Sequence, residues 1–134
     1  MSESKEAFDN NHKAYVEQKL IEDGEAGEWE VVLPFFNQLQ LDYDQPFPYY
    51  PPQFFEVLDM LKERLKGEIN HKVYSSRSGN THYIIDLPVV MGDLERVAWQ
   101  AAFGSDPKRE AGHLLSLARG DAHPILLIMR KDRQ

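Results

Sequence analysis

Asp42 and Asp44 stand two residues apart at the end of Leu39-Gln-Leu-Asp-Tyr-Asp, a stretch that reads as a β-strand. Strand side chains alternate between faces. Both carboxylates therefore share one face with Gln38 and Gln40, while Leu39, Leu41 and Tyr43 share the other. Repulsion between neighbouring acids has to be relieved by water, a cation or a hydrogen-bond donor. A pair of this kind can ligate Mg2+ or Mn2+, with water and phosphate oxygens completing an octahedron. The plainer alternative is a solvated strand end.

Other residues extend the pattern. His82 in Thr81-His-Tyr-Ile-Ile, Arg77 and Ser78 in the turn before it, and Lys108 and Arg109 after Asp106-Pro107 are candidates for phosphate contacts. A metal site built on Asp42 and Asp44 also needs a third ligand, for which Asp86 and Asp106 are the candidates. Asp106 followed by Pro107 reads equally as a helix cap with proline at the first helical position. His12, His71, His113 and His123 show no metal-ligand spacing and read as structural, and Trp29 and Trp99 read as packing residues.

The elements that must hold these groups follow from periodicity and breakers. Residues 4–22 read as a helix ended by Asp23-Gly24, and Glu25 to Glu30 as a solvated acidic connector. Pro34 interrupts the apolar run from Val31, so the first strand starts near Phe36. Four prolines between Gln45 and Pro52 stiffen the loop after it. A helix from Pro52 to Lys66 buries Phe54, Phe55, Leu58, Leu61 and Leu65, with Gly67 as its stop. Strands over Ile69–Ser75 and Thr81–Leu87 form a hairpin. A helix over Asp93–Phe103 carries Leu94, Val97, Ala98 and Ala101 as its apolar stripe. A second, after Asp106, carries Ala111, Leu114, Leu115 and Ala118. A last strand runs from Pro124 to Arg130.

From Phe36 onward the order is strand, helix, strand, strand, broken helix, strand. This predicts an α+β, ferredoxin-like (βαββαβ) fold: a four-stranded antiparallel sheet, helices on one face and an extra N-terminal helix as a candidate cover for the other. Residues 1–30 form the acidic helix and linker, and residues 31–134 the single domain. The third strand then lies antiparallel beside the first. That brings His82 next to Asp42 and Asp44 on the face away from the helices, with Arg77 and Ser78 at the same edge. Asp86 falls on the same face, roughly 13 Å further along the strand.

A hydrophobic strand ending in Asp-x-Asp, followed by Ser76-Arg-Ser-Gly79-Asn-Thr-His82-Tyr-Ile-Ile, resembles the core of the archaeo-eukaryotic primase (primase-polymerase) superfamily. The resemblance covers about residues 36–90. It implies metal-dependent nucleotidyl transfer in DNA replication, with Asp42 and Asp44 holding divalent metal and His82 contacting nucleotide phosphate. It also implies a third motif, a hydrophobic residue followed by an acid. Ile85-Asp86 has the right letters but follows the histidine closely, and Asp106 reads as a cap. The chain lacks the further module usual in that family, so it reads as a reduced or divergent relative, with inactivity or dependence on a partner left open. The broken helix around Glu95–Glu110 also resembles bacteriophage proteins.

Charge and composition bound the partners. Of the net charge of −7, residues 1–30 carry −6, from nine acids and three lysines, and the remainder carries −1. The domain is therefore not basic enough for strong non-specific nucleic-acid binding, although a nucleotide or a local nucleic-acid groove fits. The first strand offers no aromatic on its open face, against an RNA-recognition-motif mode. No apolar run is long enough to span a bilayer, the N-terminus lacks a signal-peptide core, and there is no cysteine. A cytoplasmic protein is expected. The alternative to an enzyme is a non-enzymatic ferredoxin-like interaction module that uses its open sheet face, as a homodimer or with another protein.

Overall fold

The computed structural model describes residues 5–120 and 126–133, with side chains from Lys13 onward. The elements run α1 (Lys5–Glu22), β1 (Trp29–Val32), β2 (Gln38–Pro46), α2 (Phe54–Leu65), β3 (Asn70–Ser75), β4 (Asn80–Asp86), α3 (Asp93–Ala102), α4 (Pro107–Ala118) and β5 (Leu127–Arg130). The α+β class and most boundaries agree with the pattern of the sequence. The start predicted for the last strand, at Pro124, and His123 lie outside the described residues.

The main sheet has three strands in the order β2-β4-β3. Both outer strands are antiparallel to β4, so β2 and β3 run parallel to each other, as the βαββ connection predicts. One face of this sheet is the apolar one. Leu39, Leu41 and Tyr43 of β2 and Tyr83 and Ile85 of β4 pack with Phe54, Val57, Leu58 and Leu61 of α2 and with Phe103. Burial of each such side chain contributes about 1.5–3 kcal/mol. Tyr43 buries its ring and donates its hydroxyl to the Phe103 carbonyl at 2.6 Å. Burial pushes that phenol well above its ordinary pKa.

The predicted four-stranded sheet does not form among the described residues. The last strand pairs instead with β1, antiparallel, in a separate two-stranded ribbon. β1 occupies Trp29–Val32, so the predicted solvated connector ends in a strand. The reason lies at the outer edge of β2. There the Gln40 amide donates to Gln100 Oε1 and the Gln40 carbonyl accepts from Arg109 Nη1. The Asp42 amide donates to Ser105 Oγ and the Asp42 carbonyl accepts from the Asp106 amide. Side chains and one backbone amide of the α3–α4 segment thus satisfy the groups that a neighbouring strand would pair with. Arg109 also donates through Nη2 to the Leu126 carbonyl, which ties the end of the ribbon to the sheet it does not join.

The ribbon lies on the second sheet face. Gln40, on that face, donates its side-chain amide to the Val32 carbonyl of β1. The face predicted to be open, or covered by α1, is therefore covered in part by β1 and β5.

The helices depart from prediction more than the strands. Phe55 is exposed and Val57 is buried in its place. The left-handed cap residue after α2 is Lys66 rather than Gly67. The predicted apolar stripes of the last two helices point outward: Leu94, Ala98 and Ala101 of α3 and Ala111, Leu114, Leu115 and Ala118 of α4 are exposed or largely so. Apart from Val97, the buried residues of these helices are polar: Arg96 and Gln100 in α3, Glu110 and His113 in α4. Covering a strand edge requires hydrogen-bonding side chains, and that demand overrides the hydrophobic pattern.

Candidate functional site

A cleft of about 420 Å3 opens between the second face of the main sheet, the β3–β4 turn, the start of α4 and β5. Its walls include Asp42, Asp44, Arg77, Ser78, His82 and Arg109. Those are all but one of the predicted site residues. Lys108 is exposed and does not line the cleft. Its backbone amide caps α4 by donating to Asp106 Oδ1.

The register of the sheet sets the centre of the site. Asp42 and His82 are direct cross-strand partners, and His82 Nε2 lies 3.2 Å from Asp42 Oδ1. His82 is buried at 5% exposure, and its Nδ1 has no hydrogen-bond partner among the described residues. Past Tyr43 the β2–β4 register shifts, from Tyr43 opposite Thr81 to Pro46 opposite Asn80. This irregularity bends the strand end. Asp44 sits within it, and its Oδ1 accepts from Asn80 Nδ2 at 2.9 Å.

The β3–β4 turn is held by short-range bonds that leave Arg77 at the rim. Ser76 Oγ accepts from the Asn80 amide at 2.8 Å and lies 3.2 Å from Ser78 Oγ. Gly79 takes φ +87°, a conformation that a side chain would strain. Arg77 Nε lies 3.6 Å from Glu25 Oε2, and its Nη1 lies 4.0 Å from Asp23 Oδ2.

Asp106 supplies the third acid of the cleft, and Asp86 does not. Asp106 is placed by Gly104, whose φ is +82° and whose missing Cβ leaves room for the Gln53 side chain, and by its own amide bond to the Asp42 carbonyl. Asp86 lies opposite Gln38 and Asn70 at the far end of the sheet and accepts from Gln38 Nε2. Each cleft acid has one oxygen engaged: Asp42 by His82, Asp44 by Asn80 and Asp106 by the cap. Among the described residues no three His, Asp or Glu side chains stand close enough together to hold one ion. Asp42 and Asp44 are the carboxylates of the cleft that could contribute to holding a hydrated divalent cation.

Behind the cleft lies a buried polar cluster that periodicity did not disclose. Glu110, 2% exposed, accepts from Gln100 Nε2 at 2.9 Å, Ser105 Oγ at 2.6 Å and Arg109 Nη1, and its Oε1 lies 3.0 Å from His113 Nδ1. Burial alone would raise this carboxyl. The His113 bond, the Arg109 charge and the Ser105 hydroxyl outweigh it and hold Glu110 below its ordinary pKa. The Glu110-x-x-His113 spacing is the sequence signal that could have exposed this pair, since side chains three apart on a helix meet. His113 also lines the cleft. Arg109 spends Nη1 and Nη2 on two carbonyls and Glu110, so its first role is to hold the cleft wall.

His71 behaves as a packing residue. Its ring lies 4.9 Å from that of Phe54, and burial together with the nearby Lys62 charge lowers its pKa. No helix among the described residues is long and apolar enough to cross a membrane. No family model, no curated protein and no solved structure matches this chain.

Proposed function

We propose that this chain is a metal-dependent nucleotide-binding domain of primase-polymerase type. It takes a nucleoside triphosphate with Mg2+ or Mn2+ in the Asp42–His82 cleft and transfers the nucleotidyl group to a 3′-hydroxyl, with pyrophosphate as the leaving group, alone or with a larger replication partner. One observation carries the reading: Asp42, Asp44, His82 and Arg77, which are separated in sequence, line a single cleft. The antiparallel pairing of β2 with β4 in the three-stranded sheet also supports the reading, since it sets Asp42 opposite His82.

In this reading Asp42 and Asp44 would hold a divalent ion, which when bound would supply charge neutralisation at the triphosphate and activation of the attacking 3′-hydroxyl. The contacts of Asp42 with His82 and of Asp44 with Asn80 each engage one carboxylate oxygen and orient the acid. A phosphate oxygen would share the His82 Nε2 that Asp42 Oδ1 faces, since Nδ1 is shut off from solvent. Arg77 and Ser78 meet the far end of the phosphate chain at the rim. The buried Glu110 cluster keeps the α4 wall in register with β2.

Thermal denaturation with Mn2+ and ATP tests the reading. Ligand at a hundred times its Kd stabilises by about 2.7 kcal/mol, which raises the Tm of a domain this size by roughly 10 °C. No shift in the wild-type protein removes the proposal.

A second reading has its own observation. The α3–α4 face exposes Leu94 at 64%, Leu114 at 40% and Leu115 at 55%. Exposed leucines on two successive helices could serve as a protein contact if they join into one patch. The interaction module would then work through this helical face rather than the sheet, as a homodimer or with another protein. Sedimentation over a range of concentrations tests it, and a monomer at every concentration with no partner bound by this face contradicts it.

A further inference from the structure

The turn between α1 and β1 carries two acids to the rim of the cleft. Asp23 and Glu25 both face the Arg77 guanidinium, at 4.0 and 3.6 Å. The turn is built rather than incidental. Leu20 is buried at 2%, its carbonyl accepts from the Glu25 amide, and Gly24 takes φ +74°. The Trp29 amide then bonds the Glu25 carbonyl as the chain enters β1. Arg77 is also the predicted cation at the outer end of the cleft, where it would meet an anionic ligand.

We propose that this acidic turn is a built-in competitor for the anion that Arg77 binds. Asp23 and Glu25 occupy the guanidinium when the cleft is empty, and the terminal phosphates of a nucleotide displace them. The proposal rests on the nucleotide reading of the cleft and adds its regulation. The strengths suit competition. Both ion pairs are long and about one-third to one-half exposed, so each is worth little in water. A phosphate can engage the same guanidinium through two parallel, charge-assisted bonds. The acidic turn therefore sets a threshold for binding without blocking it. Whatever draws the turn away from Arg77 would sharpen the affinity of the cleft.

Calorimetric titration with inorganic tripolyphosphate, and separately with Mn2+ and ATP, tests this on the full chain. The variant Asp23→Asn/Glu25→Gln should bind tripolyphosphate roughly tenfold tighter than wild type. Adding Arg77→Gln should abolish the gain. A control, Glu17→Gln/Glu22→Gln, removes the same charge from exposed residues that make no ion pair to Arg77, and should change affinity by less than about twofold. Melting curves show that each variant is folded. Equal tripolyphosphate affinity in wild type and Asp23→Asn/Glu25→Gln overturns the proposal, as does an equal gain in the control. If Mn2+-ATP still binds through Asp42 and Asp44 in that case, only the competitor falls. If neither wild type nor variant binds either probe, the nucleotide reading falls with it.

Discussion

Arg109 stands where a fourth strand would pair with Gln40. Its Nη1 donates to the Gln40 carbonyl at 2.9 Å, and its Nη2 donates to the Leu126 carbonyl at the end of the displaced ribbon. A planar guanidinium can serve two carbonyls and a carboxylate together, whereas an ammonium cannot keep that fork. The edge of β2, the α4 wall and the ribbon thus meet at one side chain.

Arg109→Lys should therefore destabilise the fold by about 1–3 kcal/mol, because the part-buried carbonyls of Gln40 and Leu126 lose their donor. Urea denaturation measures the loss. A variant as stable as wild type would show that the edge is held by Gln100 and Ser105 alone.

Glu110 makes stability depend on acid. Its folded pKa lies below the ordinary 4.5, so the stabilisation it supplies is complete above that value and is lost as pH falls through the folded pKa. Glu110→Gln should cost about 3–5 kcal/mol near neutrality, since it strips the negative charge from beside Arg109 and His113. Denaturation from pH 7 to pH 3 should show a shallower acid loss in the variant than in wild type.

His82→Ala should weaken Mn2+-ATP binding about tenfold if the ring donates to phosphate. It also removes a buried ring beside Asp42, so a stability loss of roughly 1–3 kcal/mol is expected. Binding measured below the Tm of the variant separates the two effects. Lost stability with unchanged affinity would leave His82 a structural role only.

Leu114→Glu/Leu115→Glu should leave the monomer nearly as stable as wild type, within about 0.5 kcal/mol per site, because both side chains are largely exposed. If the α3–α4 face docks a second copy, the same variant is monomeric at concentrations where wild type self-associates. Sedimentation equilibrium reads the difference.

Alternation makes the strands of the main sheet legible and leaves the helix faces illegible, for a physical reason. Alternation along Gln38–Asp44 and Asn80–Asp86 fixes which residues face the α2 core, and antiparallel pairing then forces Asp42 beside His82. The stripe Leu94, Ala98, Ala101 looks like a buried face because periodicity reports amphipathicity without saying which side turns inward. Here the inward side is set by hydrogen bonds to the β2 edge, through Gln100, Ser105 and Arg109. Long-range demands of that kind leave no local pattern. The short strand Trp29–Val32 was hidden likewise, by the acidic run before it and Pro34 after it, and is defined by its partner Leu127–Arg130. Asp106 caps α4 as the Asp-Pro pair predicts, and its amide bond to the Asp42 carbonyl also brings it to the cleft.

The most direct measurement is calorimetric titration of Mn2+-ATP into wild type and Asp42→Asn/Asp44→Asn. Neither acid is fully buried, and the amide side chains keep similar shape, so the variant should fold. The nucleotide reading predicts saturable binding in wild type and a loss of at least about tenfold in the variant. Equal binding by both proteins, or none by wild type, contradicts it.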